Sequence, residues 1–227
     1  MHILILILVL LALIAGPGLW VKRIMQRYSE PADRYPFSGG ELARKLLDSL
    51  QLQDVGTEIT DAGDHYDPMN KIVRLTQQHY DGRSLTAITI AAHEVGHAIQ
   101  DASGYRPLRL RTQLVRWVSP VEKTGAALLM ASPLIIALTR LPAVGLVTIL
   151  GGLLTLGSGA LIHVLTLPTE FDASFARALP LLTQQNILMP VDEPHSRRLL
   201  KAAALTYVSA ALTSLLNIAR WWAILRR

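Results

Sequence analysis

Apolar positions along this chain follow more than one rhythm. Four runs are apolar almost throughout: 3–21, 125–139, 141–169 and 202–219 are 19, 15, 29 and 18 residues long and lack any Lys, Arg, Asp or Glu. A helix needs about 20 apolar residues to cross the hydrocarbon of a bilayer. Runs 3–21 and 141–169 therefore read as spans, and 125–139 as a short one. Run 202–219 either crosses or lies along the interface. Only Thr139-Arg140-Leu141-Pro142 separates the second run from the third, which predicts a tight hairpin of helices. As a continuous helix the third run would be about 43 Å long, so it tilts or its last turns project beyond the bilayer.

Between residues 22 and 124 the rhythm shortens. Pro31, Pro36, Gly39 and Gly40 mark a connector over 31–40. Leu42, Leu46, Leu47 and Leu50 recur at helical spacing, predicting a helix over 40–52 capped by Ser38 or Gly39. Residues 55–60 have β character, and Asp61-Ala62-Gly63-Asp64 reads as a turn. Lys71, Ile72, Val73, Arg74 and Leu75 alternate charged and apolar positions, as a half-buried strand does. The two charges place that strand at a sheet edge, where it could receive an extended peptide. From Ser84, a plausible N-cap, the pattern is helical to about Ala102, before Gly104. The fold expected is a mainly α membrane protein: three to four transmembrane helices and a small α+β unit. In order, the segments are an anchor (1–21), a charged region (22–124), a membrane hairpin (125–169), a helix and loop (170–201) and a terminal helix (202–227).

Composition supports that division. Apolar residues make up 51% of the chain and charged residues 17%, against about 25% charge in ordinary soluble domains. Mean hydropathy is +0.33. With no cysteine, disulfides and thiolate metal sites are excluded. The net charge of +5 is concentrated at the ends of the apolar runs, at Lys22, Arg23, Arg27, Arg140, Arg220, Arg226 and Arg227. This is an anchoring pattern; no basic run with interleaved aromatics points to nucleic acid. The first run lacks a basic n-region and a small-residue cleavage site, so it reads as an uncleaved anchor. The cations after it place 22–124 in the cytoplasm by the positive-inside tendency. If the hairpin crosses twice, 170–201 returns to the same side.

The chemistry sits on the helix after Ser84. Ala92-His93-Glu94-Val95-Gly96-His97 contains HExxH. Residues four apart on a helix lie on one face, so His93 and His97 can reach one ion. Glu94 can then act on water as a general base, with zinc lowering the pKa of that water. One zinc per chain is expected. No His or Cys follows at short spacing, and the position four beyond His97 is Asp101. The third ligand must come from elsewhere. Leu167-Pro168-Thr169-Glu170-Phe171-Asp172-Ala173-Ser174 follows the membrane hairpin, and Thr169 could cap a helix there. Glu170 is the preferred ligand. Asp172 is its competitor, or else a hydrogen-bonding support. His163, two turns before Glu170, and Tyr105, with Arg106, are candidates for stabilising a transition state. His65, His79 and His195 read as surface or turn residues.

These segments resemble a known family. His93 to Gln100 (HEVGHAIQ), Asp64 to Pro68 (DHYDP), Lys71 to Thr76 (KIVRLT) and Glu170 to Ser174 (EFDAS) look like the YugP-like neutral zinc metallopeptidases of bacterial membranes. More distantly they are similar to the heat-shock-type and CAAX-prenyl-type membrane zinc endopeptidases. Those carry HExxH, a membrane hairpin and an ExxAD ligand helix. Glu170 falls on that ligand glutamate and Ala173 on the alanine. Ser174 stands where the pattern has Asp, so Asp172 is the candidate for the supporting role. The resemblance implies a zincin-like catalytic unit in the bacterial inner membrane, facing the cytoplasm. It also implies a substrate-binding, β-adding role for strand 71–75 in place of a purely structural one.

Three functions are compatible with these residues. The first is a membrane-anchored zinc endopeptidase acting on membrane or membrane-proximal polypeptides, with the bilayer and the substrate as partners. The second is a site-2-type intramembrane metalloprotease, with 84–100 as a span. Thr86 and Thr89 interrupt that run, and Arg83 and Asp101 bound it. The third is a zinc-binding scaffold without activity, for which the base Glu94 would be superfluous.

Overall fold

The computed structural model describes residues 2–225, except for the side chains at 2–11, 13–15, 119, 121–123, 126, 133, 142, 155–156 and 215–225. The chain forms two units. One comprises 1–17, 110–166 and 207–227, the other 18–109 and 167–206. Eight α-helices are described: α1 (His2–Arg27), α2 (Gly39–Ser49), α3 (Gln77–Tyr80), α4 (Leu85–Ala102), α5 (Arg106–Thr139), α6 (Pro142–Phe171), α7 (Leu179–Gln184) and α8 (Glu193–Leu225). Three strands join them: β1 (Gly56–Ile59), β2 (His65–Asp67) and β3 (Ile72–Leu75).

In the second unit, α2 starts where the sequence places a cap. The Ser38 side chain accepts from the Glu41 backbone N–H, and the Glu41 carboxylate accepts from Ser38 N–H. This reciprocal capping box satisfies two backbone donors that have no partner inside the helix. Leu42, Leu46 and Leu47 are fully buried on the face that packs on α4. Val73 and Leu75 of β3 join the same core.

The sheet corrects one expectation. Its order is β1-β3-β2, with β1 parallel and β2 antiparallel to β3. Residues Ile72, Val73, Arg74 and Leu75 thus form the central strand, and Lys71 precedes it in a left-handed conformation (φ 53°). The charge that suggested an edge is neutralised by the neighbouring strands instead. Arg74 forms ion pairs with Glu58 on β1 and with Asp67 Oδ2 on β2, the latter at 2.5 Å. Lys71 pairs with Asp54 at 2.8 Å, outside the strand. A central strand tolerates a cation when carboxylates on both neighbours balance it. The open edges belong to β1 and β2.

One carboxylate ties two sequence-distant segments of the second unit. Asp192, 1% exposed, accepts two 2.6 Å bonds from Arg34 and a 2.7 Å bond from the Tyr35 hydroxyl. These partners hold its carboxyl below the ordinary carboxylate range although burial alone would raise it.

In the first unit, the α5–α6 connection is as short as the sequence predicts, and Arg140 takes a positive φ of 53°. The two helices approach closely at Gly152, where a Cβ would lie 2.3 Å from Leu129 Cγ. Leu134, Leu138, Val147 and Leu154 are more than 60% exposed. Among the described residues, one helical stretch, Ala143–Gln184, is long and apolar enough to cross a membrane. The expected anchor 1–21 lies mostly outside the described side chains, as does the end of 202–227.

Candidate metal centre

The site is built on α4. Ser84 caps it, its side chain accepting from Ala87 N–H, as the sequence predicts. Small residues dominate its surface, and every residue from Leu85 to Ala98 is buried. His93 and His97 project from one face, their ring centroids 4.8 Å apart. Both are about 4% exposed, and Glu94 is 6% exposed.

The third group comes from the end of α6. Glu170, 1% exposed, brings Oε2 to 3.2 Å from His93 Nε2 and 3.4 Å from His97 Nε2. The three ligand atoms lie within 4.8 Å of one another. Zinc with bonds of about 2.0–2.1 Å in a tetrahedron separates its ligand atoms by roughly 3.3 Å. The two nitrogen–oxygen distances fit that spacing. Two imidazoles and a carboxylate also match the donor set zinc takes in catalytic sites, with one position left for reactants.

The backbone around Glu170 differs from the expectation. Thr169 does not cap a new helix; α6 continues through Pro168 and Thr169 to Phe171. It then widens into a π-helical stretch, Asp172–Ala178, in which Asp172 and Arg177 five residues apart meet at 2.7 Å. Such a bulge re-aims side chains within an otherwise regular helix and is frequent at functional sites. It packs on α4 at Gly96, where an added Cβ would lie 2.6 Å from the Ala173 carbonyl oxygen.

Neighbouring polar groups orient both imidazoles. Ser174 Oγ is 3.1 Å from His93 Nδ1. The residue that stands where the similar pattern has Asp therefore takes up the supporting contact itself. Gln100 Oε1 is 2.9 Å from His97 Nδ1, while Gln100 Nε2 donates to Thr169 C=O (2.8 Å) and to Asp172 Oδ2 (2.7 Å). Both amide protons of Gln100 face acceptors, so its oxygen must accept from His97 Nδ1–H. That fixes the tautomer and leaves the Nε2 lone pair facing Glu170. Asp172 supports the site through Gln100; among the described residues its side-chain partners are Gln100 and Arg177, not an imidazole. Sequence reasoning gave Gln100 no role. Its signal was its place three residues after His97, on the same helix face.

The remaining candidates separate. Tyr105 lies against Arg177, the guanidinium 5.5 Å from its ring centroid. Burial, then the Asp172 carboxylate, raises the Tyr105 phenol, which keeps its proton available for donation. Arg106 is exposed at the start of α5. His163 belongs to the first unit, where its ring lies 6.2 Å from that of Tyr207. Asp101 accepts from the Tyr66 hydroxyl at 2.9 Å, tying β2 to α4. His79, read as a surface residue, is 16% exposed and hydrogen-bonds Asp64 at 2.7 Å. His65 meets the Gly63 carbonyl, and His195 stacks on Tyr28.

Gln100→Leu keeps the volume but removes the acceptor for His97 and the donor to Asp172. It is expected to weaken zinc binding by about tenfold, the lower end for loss of a ligand-orienting partner. Competition against a chromophoric chelator measures it; unchanged affinity would exclude the orienting role.

Comparison with known proteins agrees with this donor set. The family model described as "Putative neutral zinc metallopeptidase" matches residues 2–226. The curated "Putative membrane protease YugP" of Bacillus subtilis (strain 168) is 36% identical over 203 residues, covering 88% of this chain and 86% of that protein. No solved structure matches. With a match over nearly its whole length and a buried His-His-Glu cluster at the HExxH helix, the chain belongs to the neutral zinc metallopeptidase family.

Proposed function

We propose that this chain is a membrane-anchored zinc endopeptidase that cuts membrane or membrane-proximal polypeptides on the cytoplasmic side. The observation that carries the reading is the convergence of His93, His97 and Glu170 in a buried cluster, with Glu94 beside His93 on α4. His93, His97 and Glu170 would hold the zinc. Zinc, when bound there, supplies Lewis acidity that polarises a peptide carbonyl and makes water a nucleophile near neutral pH. Glu94 takes the proton of the attacking water and passes it to the leaving amine. Burial of the site excludes bulk water and strengthens these charge interactions.

Membrane anchoring is supported by the helical stretch Ala143–Gln184, which contains a window apolar enough to cross a bilayer, and by the naming of the Bacillus relative as a putative membrane protease. Runs 3–21, 125–139 and 202–219 would add further spans, giving three or four. The cations after run 3–21 support a cytoplasmic active site in a bacterial inner membrane. An extended substrate would add to the open edge of β2, which Tyr66 and Asp101 hold against α4.

The intramembrane alternative is disfavoured by the surroundings of α4. Its residues pack on α2, β2 and β3 in one core, and Thr89 hydrogen-bonds Ser196 within it. A non-catalytic scaffold remains the rival, and one experiment separates the two. Purified full-length protein is expected to carry one zinc and to digest an unfolded generic protein. Chelation should abolish both, and added zinc should restore both. Zinc content without any cleavage would favour the scaffold, and cleavage that persists after zinc removal would overturn the metallopeptidase reading.

A further inference from the structure

The second unit carries exposed cations on two helices that the peptidase reading does not use. Lys22, Arg23 and Arg27 lie in the last turns of α1, and Arg197, Arg198 and Lys201 in the first turns of α8. All six are exposed, and segments 18–29 and 194–206 contain no acidic residue. Arg197 is balanced by Glu193 at 3.4 Å. Among the described residues the other five have no carboxylate partner.

Two of these cations meet on one ring. The Arg27 guanidinium lies 5.9 Å from the Tyr28 ring centroid, and Arg198 Nη1 donates to the Tyr28 hydroxyl at 3.5 Å. His195 stacks on the same ring at 5.0 Å. Tyr28 is 8% exposed and its carbonyl accepts from Thr86 N–H, so the ring is a fixed platform. A cavity of about 200 Å³ opens beside it, lined by Leu85 and by Arg27, Tyr28, Glu30, Arg34, Asp192 and His195. Arg34 and Asp192 neutralise each other through their paired bonds. Within the lining Glu30 offsets Arg27, so the cationic surplus at this ring comes from Arg198, which reaches the Tyr28 hydroxyl from outside the cavity lining. Immediately before the cations of α1, Leu19 is 66% and Trp20 39% exposed. An aromatic and an aliphatic residue followed by cations is the pattern of a helix leaving a bilayer through the headgroup layer.

We propose that Arg27 and Arg198, which meet at Tyr28, bind the phosphodiester headgroup of an anionic phospholipid there. Guanidinium groups bind phosphate oxygens in pairs, whereas exposed lysines add attraction to an anionic surface. The exposed Leu19 and Trp20 favour a lipid over a free anion, because they supply apolar contact beside the charge. The inference rests on the membrane anchoring proposed above and deepens it: the anchor would select anionic lipid and not merely hydrocarbon.

The test uses the full-length zinc-loaded chain in nonionic detergent. It is titrated with short-chain phosphatidylglycerol, short-chain phosphatidylcholine and glycerol phosphate, and binding is read by thermophoresis. Phosphatidylglycerol is expected to bind about tenfold tighter than phosphatidylcholine, and glycerol phosphate no better than phosphatidylcholine. Arg27→Gln combined with Arg198→Gln should remove the preference, and Arg197→Gln should keep it. Arg198→Gln alone, at an exposed position, serves if the double variant does not fold and should reduce the preference. Equal affinity for the two lipids overturns the proposal. So does an equal loss in Arg197→Gln, which would indicate a diffuse field, or glycerol phosphate binding as tightly as phosphatidylglycerol. Alkaline carbonate extraction of membranes distinguishes the two failures. Release of the chain sinks the anchoring itself, whereas retention without lipid preference sinks only this site.

Discussion

Glu94→Gln is expected to retain zinc and to lower peptide-bond cleavage by about 10²–10⁴-fold. Glutamine has the size and shape of glutamate, and residue 94 is not among the three converging ligands. The fold and the ion should therefore survive. An amide cannot take the proton of the attacking water, so the step that depends on a base fails. Zinc by elemental analysis and kcat on an unfolded protein substrate, measured on one preparation, decide the matter. Turnover near the parent rate would sink the assignment of Glu94 as the base. Loss of zinc together with activity would mean that residue 94 supports the ligands.

The second large effect is expected at Gly96, which no chemistry singles out. A Cβ there would lie 2.6 Å from the Ala173 carbonyl oxygen and 3.3 Å from its carbon. Both are backbone atoms of the π-helical stretch that begins two residues after Glu170. Gly96→Ala must therefore push that stretch away from α4, carrying Glu170 away from His93 and His97. Overpacking of this kind costs about 1–3 kcal/mol of stability. Zinc affinity should fall by about 10–100-fold, the range seen when ligand geometry is disturbed. Combining Gly96→Ala with Ala173→Gly should not restore affinity, because the obstruction is main chain and not the Ala173 methyl. Chelator competition and thermal unfolding of the apo protein measure the two losses separately. Unaltered zinc affinity in Gly96→Ala would show that the close approach does not set the ligand geometry.

The parts of the site legible in the sequence were those set by local spacing. His93 and His97 share a face because helix geometry puts residues four apart on one side. Ser84 and Ser38 cap their helices because short polar side chains satisfy backbone donors at a helix start. Glu170 could be proposed because its run follows the apolar hairpin, and the structure brings it to both histidines. The strand at 72–75 was recognised, but its position was not. Arg74 looks the same in sequence whether it faces solvent or two carboxylates on flanking strands.

What local pattern could not supply is everything that depends on pairing across sequence distance. Strand order puts residues 56–59 on one side of β3 and 65–67 on the other, and no periodicity encodes it. Gln100 gains its role because Thr169 and Asp172, about 70 positions later, present two acceptors to one amide. Ser174 supports His93 because the helix widens after Phe171, a change of helical register that composition does not announce. The sequence alone established HExxH, its helix and the apolar runs, since those arise from the 3.6-residue turn and from partitioning between water and hydrocarbon. The tertiary structure decided which carboxylate completes the cluster and how the imidazoles are held. Those outcomes turn on the close approach of two backbones at Gly96 and on buried polar groups each requiring a partner.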